Sequence, residues 1–167
     1  DLMSITGKNR EHYIGTVICK EEPNPVRTIG DEADYREYAI VDGQQRLTTI
    51  VLLVNAICST YEAIDPKSLP EEVRSKYHSL PVEENSQLFI SDPAIELSAQ
   101  QSRFKLQLQD DDNDTFEDIL RDDIDETAME TPSQKRLVEA YQFYLKKLEE
   151  IRTENEPTEF FTLLDQL

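Results

Sequence analysis

At 167 residues the chain has the length of one domain and can bury a real core. Its 35 acidic residues against 17 basic ones leave a net charge of −18, which argues against tight duplex binding by this chain alone, because DNA-binding faces are normally basic. A 38% apolar and 31% charged composition suits a water-soluble protein with exposed helices, and no apolar run reaches the roughly 18 residues of a membrane span.

Tyr13 to Lys20 is rich in β-branched and aromatic residues and predicts a strand, in which Gly15 marks a bulge or a close backbone approach. His12, just before it, reads as a solvated loop histidine. Glu21 to Asp34 holds two prolines, a glycine and several acids, and is expected to be an exposed loop. Tyr35 to Val41 predicts a second strand antiparallel to the first, delivering Asp42 to one end of a small sheet. Leu47 to Ile64 is apolar nearly all round, as in a central helix covered on several sides, with Asn55 its one clear polar interruption, expected to find a hydrogen bond. Cys19 and Cys58 show no CxxC spacing. Both are expected to be buried reduced thiols in a cytoplasmic protein.

Asp65 to Pro81 reads as a loop and a short polar helix, with Pro70 near its start, Glu71 and Glu72 in its first turn, and His78 on the surface. Ser86 to Ser91 and Arg103 to Leu108 predict further strands, the second alternating cleanly. Arg103 and Lys105 share one face there and are the candidates for a local basic, DNA-contacting patch. A merely solvated face fits equally well. Asp110 to Asp114 fails as a calcium loop, because the loop glycine is absent and Arg121 stands where a bidentate Glu is required. Carboxylates capping a helix over Thr115 to Leu120 explain the run more simply. Thr131-Pro132-Ser133-Gln134 is a capping-box helix start, followed by one apolar stripe of Leu137, Tyr141, Tyr144, Leu148 and Ile151. Pro157 opens a last helix with Phe160, Phe161, Leu163, Leu164 and Leu167. An apolar pattern still running at the last residue predicts an adjoining helical region, a division near 1–130 and 131–167, and a stripe open to a partner chain or to a further part of the same chain, with a homo-oligomer as a further option. The fold class expected is α+β: a small mixed sheet with a central buried helix, then C-terminal helices.

Everything turns on Asp42-Gly-Gln-Gln-Arg-Leu-Thr-Thr49, between a short buried strand and a long buried helix. A strand-to-helix turn leaves the first helical amides without intrahelical partners, a ready anion site. Gly43 permits a positive φ and close approach of a ligand. Arg46 offers a planar fork for phosphate oxygens. Thr48 and Thr49 add hydroxyls, Gln44 and Gln45 are placed to orient a water or a phosphate oxygen, and Asp42 suits a metal ligand or a base. The plain alternative is a tight turn in which Asp42 caps the helix and Arg46 pairs with a surface carboxylate.

This stretch resembles the signature of the DGQQR-motif family, which contains the ParB-like N-terminal domain of GmrSD-type, modification-dependent restriction endonucleases. The likeness continues outside it. His12-Tyr-Ile-Gly-Thr-Val-Ile18 is similar to the family's "hflGsiv" strand. Arg103 to Leu108 with Asp112 and Thr115-Phe116 is similar to its "pRLxLxxxD…fe.il" segment, and Ala140 to Tyr144 to its "ay.yf" helix. The resemblance implies a ParB- and sulfiredoxin-related fold and hydrolysis of a nucleoside triphosphate with a divalent metal, Mg being expected. It further implies that hydrolysis is coupled to nicking or cleavage of modified, foreign DNA in phage defence, with a C-terminal nuclease or helical domain as partner. On it Asp42, Gln44, Gln45 and Arg46 are the catalytic candidates, Gly43, Arg46, Thr48 and Thr49 bind phosphate, Asp42 binds metal, and a role for Asp112 stays open. The family's "IPxYQRxYxW" segment has no counterpart before the glycine strand, so part of the active site is expected to lie outside this sequence. Two other readings compete: a non-catalytic nucleotide-sensing or interaction module, and sulfiredoxin-like phosphotransfer. The latter is disfavoured because neither cysteine lies close to the turn.

Overall fold

β-Branched and aromatic residues on either side of a polar tip pair as an antiparallel ribbon, β1 (Ile18–Ile29) with β2 (Ala33–Asp42). A computed structural model describes residues 13, 15–29, 33–79, 86, 89–90, 104–109 and 111–164. The register runs from Ile18 opposite Asp42, through Cys19 opposite Ile40 and Glu21 opposite Tyr38, to Ile29 opposite Ala33.

The strands cover most of the stretch expected to be a loop. Pro23 and Pro25 are tolerated because they fall inside the irregularity between Glu21 and Val26, and a bulge is where a strand can accept a residue with no N–H. At the other end β1 begins only at Ile18, since Gly15 takes φ 100, which no extended strand allows. Cys19 is exposed on this ribbon, against the expectation of burial, because a two-stranded ribbon leaves much of its surface in water.

Helix α1 (Gln44–Glu62) carries the core. Val51, Leu52, Leu53, Asn55, Ala56 and Cys58 are all buried, the near-continuous burial its sequence predicts. The Asn55 amide donates to the Ile119 carbonyl at 3.2 Å, so the polar interruption is answered across the core. A 3-10 turn (Pro66–Ser68) leads to α2 (Glu71–Ser79), on which His78 is exposed as expected. Tyr61 of α1 stacks on Tyr77 of α2 at 4.3 Å, and its hydroxyl donates to the Tyr77 carbonyl at 2.6 Å.

Among their described residues the two later strands do not form as such; positions 87, 88, 91 and 103 of the expected strands lie outside the described residues. Ser86 and Phe89 are helical, and the Ile90 amide bonds to the Ser86 carbonyl at 2.9 Å, a case where a short apolar run has no period to separate helix from strand. In 104–109 only Phe104 makes a strand-type bridge, although its alternation is real: Phe104 and Leu106 are buried while Lys105 and Gln107 are exposed.

Helix α3 (Asp111–Leu120) starts earlier than expected, because acids are favoured inside a first helical turn as well as before it. Asn113 Oδ1 accepts the Leu108 amide at 2.9 Å, and Asp112 accepts the Ser133 hydroxyl at 2.6 Å, which ties α3 to α4 (Pro132–Glu154). The full capping box at Thr131 and Gln134 is present. Helix α4 lies chiefly against α1, with Val138, Tyr141 and Leu148 buried and Leu137, Tyr144 and Ile151 packed beside them. Helix α5 (Pro157–Leu164) turns back onto α2, and Phe160, Phe161 and Leu164 are buried there. Of the terminal stripe, Phe160, Phe161 and Leu164 are thus covered within this chain, because α2 supplies an aromatic surface on which Tyr77 meets Phe161 edge-on at 5.7 Å, whereas Leu163 is half-buried and Leu167 lies outside the described residues. Residues on both sides of position 131 share one core. The class is α+β, with a small sheet, a central buried helix and helices after it, as expected.

Candidate functional site

The turn is shorter than its five polar residues suggest. β2 ends at Asp42, α1 begins at Gln44, and Gly43 alone makes the reversal, at φ 98 and ψ 7. That left-handed conformation costs an L side chain about 1–2 kcal/mol. Space is tight as well: a Cβ on Gly43 would lie 3.0 Å from Val17 Cγ2 and 3.2 Å from Arg46 Nη1, so these neighbours would have to give way. Gln44, Gln45 and Arg46 are good helix formers and join the first turn. The Gly43 carbonyl accepts the amides of Arg46 and Leu47 at 3.0 and 3.1 Å, and Gly43, as the N-cap, supplies no side-chain cap.

Arg46 folds back over the turn rather than out into solvent. Its Nη1 donates to the Thr16 carbonyl and lies 3.6 Å from Asp42 Oδ2. A Cβ on Gly15 would meet its Nε at 2.9 Å. Among the described residues Nη2 has no partner, and the Arg46 side chain is 41% exposed. One edge of the guanidinium is thus anchored and the other faces water. Asp42 is 58% exposed, and a pair this wet and this long contributes little to stability.

Of the other candidates, Gln44 is half-buried and Gln45 exposed, and neither side chain has a partner among the described residues. The hydroxyls of Thr48 and Thr49 donate to the carbonyls of Gln44 and Gln45 at 2.9 and 2.7 Å, so only their lone pairs remain to offer. Arg103 lies outside the described residues. Lys105 is exposed, and its amide bonds to the Ile90 carbonyl at 2.9 Å, a segment that packs with α3 through Arg121 over the Phe104 ring. Asp42, Gly43 and Arg46 are thus brought together, with Gly15, Thr16 and Val17 as neighbours that sequence reasoning left out of the site. The signal for them was the glycine inside a strand-like run.

Among the described residues no group of three or more His, Cys, Asp or Glu side chains is placed to hold a metal ion. Magnesium needs no such cage. It is commonly held by one or two carboxylates together with substrate phosphates, a role for which Asp42 fits. Among the described residues no helix is long and apolar enough to cross a membrane. A groove of about 320 Å³ lined by Ile64, Leu69, Arg152, Phe160 and Phe161 lies at the far end of α1, about 28 Å from the turn at 1.5 Å per residue.

The two thiols sit in opposite surroundings. Burial, with a smaller contribution from the charge of Glu62, pushes the Cys58 thiol up from 9.0 to about 11, whereas Cys19 is exposed. Iodoacetamide at neutral pH should alkylate Cys19 in the folded protein and reach Cys58 only after denaturation. Mass spectrometry showing equal labelling of both in the native state would contradict this placement.

No curated protein matches the chain. Residues 1–166 match the family model described as the GmrSD restriction endonuclease, N-terminal domain. With virtually its whole length matched, the chain belongs to the N-terminal domain family of the GmrSD restriction endonucleases, and its setting is DNA restriction.

Proposed function

We propose that this domain binds and hydrolyses a nucleoside triphosphate at the β2–α1 turn, and that hydrolysis drives nicking or cleavage of modified DNA by the intact enzyme. The observation that carries the reading is Arg46: its guanidinium is held back against the Thr16 carbonyl and Asp42, beside a helix that, among the described residues, no side chain caps. An uncapped N-terminus and a fixed cation on the same side of a turn form a natural seat for phosphate oxygens. In this reading Gly43 and the amides after it cradle phosphates, and Arg46 neutralises charge that builds up on the transferred group. Gln44 or Gln45 orients the attacking water, and Thr48 and Thr49 line the first turn. Asp42 accepts a proton or holds the divalent ion, which would supply charge neutralisation on the phosphates. The likeness of DGQQRLTT to ParB-like domains supports the same assignment.

Charge sets the division of labour. A net charge of −18 disfavours duplex binding by this chain, so the DNA contacts are assigned chiefly to other parts of the enzyme, with Lys105 and Arg103 at most an accessory.

Calorimetry with ATP and GTP in the presence of magnesium, beside a phosphate-release assay on the intact enzyme, tests the proposal. Micromolar binding with turnover is the expected result. Binding without turnover would establish a nucleotide sensor instead, and absence of binding would remove the site.

A further inference from the structure

We propose that Gly15 is a positioning residue: with the Thr16 carbonyl it forms a preformed seat that fixes the Arg46 guanidinium before any anion arrives. The inference rests on the turn being a phosphate site, and it adds the element that sets the geometry of its cation. Gly15 and Arg46 lie 31 positions apart in the chain, yet a Cβ on Gly15 would fall 2.9, 3.2 and 3.3 Å from Nε, Cζ and Cδ of that one side chain. These atoms include the middle of the arginine, not just its tip, so a small rotation of the end cannot relieve the clash. The φ of 100 at Gly15 is itself a conformation that L residues rarely adopt.

On the other side Gly43 forms the second wall, its would-be Cβ 3.2 Å from Nη1. The guanidinium therefore lies in a slot between two glycines, with Nη1 donating to the Thr16 carbonyl. Val17 packs on Gly43 and holds the segment to the turn. Arginine carries large rotamer entropy, and restraining it in advance lowers the cost of gripping an anion. None of Gly15, Thr16 and Val17 belongs to the hydrophobic core, so the seat can be altered without opening the helices.

The Nε–H resonance of Arg46 in the ¹⁵N-labelled intact protein reads the seat directly, assigned by its loss in Arg46→Lys. In the wild type it should be shifted from the cluster of free arginines and protected from solvent exchange. In Gly15→Ala it should fall into that cluster while the backbone amides of α1, α3 and α4 keep their positions. Pyrophosphate titration then reads the consequence: Gly15→Ala should weaken binding about ten-fold, and Gly15→Ala in an Arg46→Lys background should add almost nothing. An unshifted Arg46 signal in Gly15→Ala, or additive losses in the double variant, overturns the proposal. If Gly15→Ala does not fold, a wild-type Arg46 signal already inside the free cluster overturns it equally. A wild-type protein that ignores pyrophosphate yet shows the shifted, protected signal would sink the phosphate reading and leave the seat standing.

Discussion

Arg46→Ala is expected to lower nucleotide turnover by the intact enzyme about 10²–10³-fold, the loss typical of removing one preorganised donor from a developing charge. The same change should move the thermal midpoint by no more than about 2–4 °C. Two facts separate these outcomes. The only ion pair Arg46 makes among the described residues, at 3.6 Å to a largely exposed Asp42, is of a kind worth about 0–1 kcal/mol. Its value for a triphosphate would come from the open edge of a guanidinium already held in place, an interaction absent from the free protein. Arg46→Lys should recover little of the activity, because an ammonium keeps the charge but has no second arm to reach the ligand while the first bonds to the Thr16 carbonyl. Steady-state phosphate release with magnesium and modified DNA, beside a melting curve, decides the matter. Equal turnover in the wild type and Arg46→Ala would remove the enzymatic role of this residue; a collapse of stability would make it a structural one.

The central helix and the antiparallel pairing of two strands before it were legible because each shows a pattern with a clear physical cause, although the first strand runs through most of the expected loop. Leu52 and Ala56 are buried because α1 is apolar nearly all round along its middle, and Thr131 with Gln134 announces α4 through capping chemistry alone. Short segments were not legible. Nothing in Ser86 to Ser91 distinguishes a turn of helix from a strand, and Pro23 and Pro25 suggest a loop unless one knows that a bulge waits for them. At the site, the residues of the motif could be read but not the direction of Arg46. Its partner is a backbone carbonyl, and carbonyls leave no mark in a sequence. Only Gly15 hinted that something must come close there.

The reach of the core past position 131 yields the last expected result. Phe116 of α3 is 0% exposed and lies in the same cluster as Val51 and Leu52 of α1 and Tyr141 and Leu148 of α4. Phe116→Ala should cost about 3–5 kcal/mol, from lost burial and the cavity left behind. At about 2–4 °C per kcal/mol for a domain of this size, the midpoint should fall by about 6–20 °C. How it falls tells more than how far. Asn55 and Ser59 of α1 bond to the Ile119 carbonyl and the Tyr141 hydroxyl at 3.2 and 3.0 Å, so loosening α3 withdraws support from α1 and α4 together. Tyrosine fluorescence, which samples the Tyr61–Tyr77 stack near the far end of α1, should therefore lose its native signal in the same transition as the helical circular dichroism. Two separated transitions would mean that the segments on either side of 131 fold as independent units, and that the chain has a boundary there. A single shifted one would mean that the helix behind the glycine turn owes its rigidity to the whole bundle, the C-terminal helices included.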